Sequence, residues 1–251
     1  MSKPLECVTG AAWKGVRYFC TTRSGGVSSG ALASLNLARH VRDDVANVDE
    51  NRRRLAALLP TEPAWLEQVH GVQVFDADMP GDGGPCPRAD AAVTTMPNRV
   101  LAIMTADCLP VVIGDVDGVA LGVAHAGWRG LAAGVLENTL EQLRQKHSGA
   151  SAWRAWIGPA IGQPHFEVGA DVLQAFVQAD PRCQEFFAPG GKEGKWLADL
   201  SGLASYRLRM AGVDDIQASG YCSYAQADLF YSYRRDASSG RMATVAWLER
   251  G

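Results

Sequence analysis

The stretch from Val100 to Lys146, VLAIMTADCLPVVIGDVDGVALGVAHAGWRGLAAGVLENTLEQLRQK, decides the fold class. Val100–Met104, Val111–Ile113 and Val119–Ala124 are short apolar runs without polar alternation, the pattern of strands buried on both faces. After His125 the period changes. Leu131, Val135, Leu136, Leu140 and Leu143 recur at helical spacing and predict one helix from about Gly130 to Lys146. Upstream, Val16–Thr22 reads as a strand that runs into a Gly/Ser loop, Arg23–Gly30, whose backbone N–H groups can approach an anion. A helix follows, with Asn47 as its cap, Glu50 at the capping-box position, Leu55, Leu58 and Leu59 as its apolar stripe, and Pro60 as its stop. Trp65–Val69 and Val72–Phe75 read as strands around His70-Gly71, and Pro80–Pro87 as a loop. Downstream, Trp153–Ile157, Tyr221–Tyr233 and Met242–Leu248 read as strands, and Val172–Ala179 and Leu200–Met210 as helices. Strands and helices interleave without a steady βαβ rhythm, so the class is α+β rather than doubly wound α/β.

The chain has 251 residues, enough for one large domain or two tightly joined halves with a substantial core. A net charge of −3 gives no broad electrostatic reason to expect nucleic acid or an anionic membrane as partner. No apolar run approaches the roughly 18 residues of a membrane span, and the N-terminus shows no secretory signal, so the expected location is cytoplasmic. The six cysteines, at 7, 20, 86, 108, 183 and 222, form no C-x-x-C pair and read as free thiols. The sequence contains neither a Gly-x-Gly-x-x-Gly nor a Walker motif, which argues against a nucleotide cofactor on those plans.

Three short segments carry candidate chemistry: Leu66–Gly71 with His70, Thr105–Pro110 with Cys108, and Ala124–Gly130 with His125. Each sets one soft or borderline ligand beside an apolar β-type run. Two imidazoles and one thiolate suit Zn²⁺ with a fourth position open to water or substrate, the plan of a catalytic site. Asp107 is a charge inside an apolar stretch, wasteful in a core and sensible at a strand end lining a cleft. Gly127-Trp128-Arg129-Gly130 offers a cation and free N–H groups at a helix start, an anion site that Arg23 and Arg234 or Arg235 would reinforce. Phe230-Tyr231-Ser232-Tyr233 offers rings for a flat base or for core packing. His165, after a rigid Gly/Pro loop, is a candidate substrate contact; His40 and His147 read as surface residues.

These motifs, together with Thr21–Ser28, Leu35-Asn36-Leu37, Asp90-Ala91, Ile157–Ile161 and Ser232–Asp236, resemble the YfiH/laccase-domain family. That family is also called the multicopper polyphenol oxidase or purine nucleoside phosphorylase family, and its bacterial members are often named peptidoglycan editing factors. The match runs from about residue 16 to 248, so the resemblance implies a single catalytic domain over residues 1–251. It implies mixed β-sheets layered with helices, a fold shared with a bacterial toxin that carries a Cys/His deamidase site. It implies a zinc-dependent purine nucleoside enzyme acting on adenosine, inosine and methylthioadenosine with phosphate, and deaminating adenosine. The metal ligands by motif match are His70, Cys108 and His125. On the mechanism these residues would support, the expected catalytic group is Cys108, His125 and Asp107, with Asp107 as proton shuttle, and the expected substrate contacts are Arg23, Asn36, Arg129 and Tyr231.

Three alternatives stay open on sequence. Without metal, Cys108 and His125 form a nucleophile–base pair, and that pair or a zinc ion would serve an amidase editing UDP-MurNAc-type cell-wall precursors. A Cu²⁺ polyphenol oxidase (laccase-like) fits less well, because blue-copper ligation adds an axial Met and a multicopper oxidase needs many more His than the five present. A non-enzymatic metal-binding protein would need a fourth protein ligand, and none is offered at comparable spacing. A homodimer is compatible with the chain.

Overall fold

Apolar runs buried on both faces need a layer on either side, and the molecule supplies one. A computed structural model describes residues 5–79 and 86–250. The N-terminal half contains β1 (Cys7–Val8), β2 (Val16–Thr21), α1 (Val45–Ala56), β3 (Val74–Asp76), β4 (Ala91–Thr94), β5 (Leu101–Thr105), β6 (Leu109–Asp115) and β7 (Leu121–Ala126). Then come α2 (Trp128–Ala133), α3 (Val135–Lys146), β8 (Trp153–Ile157), β9 (Glu167–Gly169) and α4 (Ala170–Val177). The chain ends with β10 (Phe187–Pro189), β11 (Lys195–Ala198), α5 (Leu200–Met210), β12 (Asp215–Ala218) and β13 (Met242–Leu248).

The strands form three sheets: β1-β2-β13-β5, β12-β8-β6-β7-β4-β3 and the small β10-β11-β9. The β3–β4 and β12–β8 pairs are parallel and the other ladders antiparallel, so the architecture is mixed α+β, as expected. Alternation along each strand divides the core. Val111 and Ile113 of β6 and Ala124 and Ala126 of β7 point into a cluster with Leu136, Leu140 and Leu143 of α3 and Leu203 of α5. Val112, Leu121 and Val123 turn the other way, onto Ile103, Tyr18 and Trp156 between the two large sheets. On the far side of the four-stranded sheet, Ala102, Ala243 and Val245 pack on Leu35, Leu37 and Leu55. The order of layers is thus α1 with its loop, four-stranded sheet, six-stranded sheet, then α2–α5.

Several expected elements differ. The helix predicted from Gly130 to Lys146 is two, split where Gly134 takes φ 101°. α1 begins earlier than expected: Asp44 caps it through Ala46 N, while Glu50 pairs with Arg53 and Arg54. Around His70 there are isolated bridges and only β3, not two strands. Tyr221–Tyr233 is a run of turns, because Phe230 and Tyr231 anchor it in the core without an adjacent strand edge. Residues 80–85 of the expected Pro80–Pro87 loop lie outside the described residues. Among the described residues no helix is long and apolar enough to cross a membrane.

Candidate metal centre and active site

Cys108 stands where the chain passes from one large sheet to the other. β5 belongs to the four-stranded sheet and β6 to the six-stranded one, so Ala106, Asp107 and Cys108 form the crossing. The crossing needs a tight turn, and Asp107 makes it with φ 88°. For a non-glycine residue this is a strained conformation, costing about 1–3 kcal/mol. Hydrogen bonds hold it. The Asp107 carboxylate accepts from Ser223 Oγ at 2.6 Å, Ser232 Oγ at 3.0 Å and the Arg234 N–H at 2.6 Å, and its carbonyl accepts from Ile161 N–H at 3.0 Å. These bonds tie the crossing to the 223–234 segment, and Asp107, the expected proton shuttle, also lines the cavity described below.

His125 lies near the end of β7 and is 3% exposed. Its Nδ1 lies 2.8 Å from Oδ1 of Asp90, a fully buried carboxylate just before β4. Asp90 also accepts backbone N–H groups from Val69, His70 and Gly71 at 3.1, 2.9 and 2.7 Å. His70 adopts φ 59° in this turn, which aims its exposed ring at Cys108: Nε2 is 3.9 Å from Sγ. The two imidazoles meet edge to face with centroids 4.8 Å apart.

One ligand atom each from His70, Cys108 and His125 therefore falls within 4.8 Å of the others. Gly127 forms the floor: a Cβ there would sit 2.9 Å from His70 Cδ2 and 3.0 Å from Cys108 Sγ. Burial pushes the Cys108 thiol up, but the charge and hydrogen bond of His125, with those of His70, outweigh it and hold the thiol below its ordinary range. His125 is shifted the other way: burial disfavours its charge, yet Cys108 and Asp90 raise it. A thiolate ready to ligate, two imidazoles and an open side toward a cavity fit one metal ion with three protein ligands.

That cavity measures about 730 Å³. Trp128, Phe166 and Tyr233 supply ring surface, and Arg234 and Arg241 supply positive charge. Among the described residues neither arginine pairs with a carboxylate. Arg234 donates to Glu167 O and lies over Phe166, and Arg241 donates to the carbonyls of Ser239 and Gly240. His40, expected at the surface, is exposed but lines the same cavity.

The four expected substrate contacts lie elsewhere. Arg23 donates to Ala33 O and Ala227 O and stacks on Tyr231. Tyr231 is fully buried and its hydroxyl donates to Leu32 O. Asn36, also buried, bonds Ala38, Asp43 and the Arg241 N–H. Arg129 is exposed and folds back over Trp128, on a helix of only six residues. None of these lines the cavity. Arg235 spends its guanidinium on carbonyls of Ser223, Tyr224 and Phe230, and His165 stacks on Tyr224 outside the cavity.

A family model described as multi-copper polyphenol oxidoreductase laccase matches residues 17–249. The chain belongs to that family. Similar proteins include a Pseudomonas aeruginosa purine nucleoside phosphorylase, 46% identical over 93% of this chain and 94% of that protein. The Escherichia coli purine nucleoside phosphorylase YfiH is 45% identical over 94% and 95%. A crystal structure of a Neisseria meningitidis protein superposes with TM-score 0.89 at 40% identity, covering 99% and 100% of the two chains. The Bacillus licheniformis YfiH structure gives 0.85 at 29%, covering 93% of each. For a laccase-like family the donor set is small. Of the five histidines, His40, His147 and His165 stand outside the cluster, which offers ligands for one ion.

Proposed function

We propose that the chain is a zinc-dependent purine nucleoside enzyme that phosphorolyses adenosine, inosine and methylthioadenosine and deaminates adenosine. The observation that carries this reading is the convergence of His70, Cys108 and His125 on a cavity that also holds two guanidinium groups which, among the described residues, have no carboxylate partner. Its volume, about 730 Å³, suits a nucleoside with phosphate beside it. The names of relatives at 41–46% identity support the same pair of substrates.

A bound zinc ion supplies positive charge and an open position for a water or substrate oxygen. The chain's own groups do the rest. Arg234 and Arg241 hold phosphate through charge-assisted hydrogen bonds, and the faces of Tyr233, Phe166 and Trp128 receive the flat base. In phosphorolysis a phosphate oxygen bonds to C1′ as the bond from C1′ to the purine nitrogen breaks. The base leaves with that electron pair and the proton that phosphate brings. In deamination water replaces the amino group at C6, and ammonia leaves.

The test is a chromatographic time course of adenosine with zinc-analysed protein, with and without phosphate, repeated on Cys108→Ala. Expected are phosphate-dependent adenine and phosphate-independent inosine, both lost in the variant. Survival of either activity in Cys108→Ala would remove it from this site.

One observation favours a second reading. Cys108, His125 and Asp90 form a thiol–imidazole–carboxylate series, which without metal is the layout of a cysteine amidase acting on UDP-MurNAc-type cell-wall precursors. Rapid alkylation of Cys108 by iodoacetamide in metal-free protein, with no turnover of adenosine by the zinc form, is the outcome that selects it.

A further inference from the structure

Asp90 is joined to both histidines of the cluster, and no ligand role falls to it. Its two oxygens divide the work. Oδ1 receives His125 Nδ1 at 2.8 Å and the His70 N–H at 2.9 Å; Oδ2 receives the N–H groups of Val69 at 3.1 Å and Gly71 at 2.7 Å. The main chain ties the same residue to β7, because the His125 N–H donates to Asp90 O at 2.7 Å. The carboxylate is fully buried and its three main-chain partners are all donors, which leaves an ionised Asp90 only acceptor sites to offer His125.

We propose that Asp90 is the positioning residue of the metal centre: it fixes the His125 tautomer and the left-handed turn of His70 in one act. With Nδ1–H held by Oδ1, His125 presents Nε2 as its free ligand atom. With the 69–71 N–H groups held, His70 keeps φ 59° and its Nε2 stays over Cys108. One anion thus makes two ligands from segments far apart in sequence into a single prearranged pair. This inference rests on the metal reading of the site, though its effect on the turn does not.

The amide isostere exposes the logic. Asp90→Asn has one acceptor oxygen and one NH₂ group. If the oxygen faces His125, the NH₂ confronts the N–H groups of Val69 and Gly71; if it is flipped, the NH₂ confronts Nδ1–H. Either way one ligand is released. Asp115 provides the control, because it is also a buried carboxylate accepting three turn N–H groups, from Asp117, Val119 and Ala120, without touching the cluster.

The experiment titrates Co²⁺ into metal-free wild type, Asp90→Asn and Asp115→Asn, following the thiolate-to-cobalt absorption. Amide exchange at residues 69–71 is measured in the metal-free proteins. Expected is a loss of about 10–100-fold in cobalt affinity for Asp90→Asn, with faster exchange at Val69, His70 and Gly71; Asp115→Asn keeps both at wild-type values. Wild-type cobalt affinity and unchanged exchange in Asp90→Asn overturn the proposal. A wild-type chain that takes up no cobalt overturns the metal reading instead, while exchange still judges the turn. Should Asp90→Asn not fold, proton–nitrogen NMR of metal-loaded wild type decides: a retained Nδ1–H on His125 is expected, and its absence refutes the tautomer assignment.

Discussion

At the scale of single residues, the centre depends on what is missing as much as on what is present. Gly127 has an ordinary φ of −62°, so alanine there meets no backbone strain. Its methyl group would instead press on His70 and Cys108. Gly127→Ala is expected to lower metal affinity and turnover roughly 10–100-fold while leaving the melting temperature of metal-free protein nearly unchanged; calorimetry with a metal titration checks both. The grouping of His70, Cys108 and His125 was legible in sequence because Cys and His beside apolar strands are chemically conspicuous. Asp90 was not. It lies 35 residues from His125, and only the antiparallel pairing of Ala91 with Ala124 brings the two together. Arg241 escaped for the opposite reason: arginine near a loop reads as solvated, and Arg234 is offered only beside Arg235 as an anion contact; it is their place in the cavity lining that sets Arg234 and Arg241 apart from Arg23, Arg129 and Arg235.

At the scale of elements, periodicity located strands and helices well and their interruptions poorly. Trp153–Ile157, Leu200–Met210 and Met242–Leu248 fall where apolar spacing puts them. The apolar spacing across Gly134 also survives, since Leu131, Val135 and Leu136 all reach the core, but the helix axis does not. The left-handed Gly134 ends α2 and opens α3, re-aiming α3 along β7 and β4. A Cβ at Gly134 would find nothing closer than 3.7 Å, so the cost of Gly134→Ala is conformational alone. We expect about 1–2 kcal/mol of lost stability, read as a shift in the urea midpoint at constant slope. The turn residues Tyr221–Tyr233 misled for a related reason. Aromatic residues favour strands only where a neighbouring edge exists to pair with, and Phe230 and Tyr231 pack instead into the core between the two large sheets, with Tyr231 also held by Arg23 and Leu32.

At the scale of the whole molecule, a cluster of half-buried charges ties a helix to the six-stranded sheet. Lys146, in the last turn of α3, bonds both oxygens of Asp76 at 2.6 and 2.7 Å and reaches Asp78 at 2.9 Å. Burial pushes the Asp78 carboxyl up, but bonds from Thr94, Thr95 and Lys146 outweigh it and hold it at about 2, below its ordinary 3.8. A carboxyl depressed on folding contributes stability that is complete above its unfolded value and is lost as pH falls through the folded one. Stability should therefore fall between about pH 4 and pH 2. Asp78→Asn should be less stable at pH 7 and show a shallower loss over that window, as denaturant melts across pH will show. The layered class was legible from the apolar runs, whereas the sheet order was not, because the partners of a strand are chosen by long-range pairing. The last strand illustrates this: β13 lies between β2 and β5, the two strands it joins in the first sheet. During synthesis, then, β2 and β5 leave the ribosome as open edges with nothing between them, and the crossing that carries Cys108 has one wall missing. The native centre cannot assemble until β13 has been made. A chain truncated before Met242 would present unpaired strands prone to aggregation rather than a weakened site.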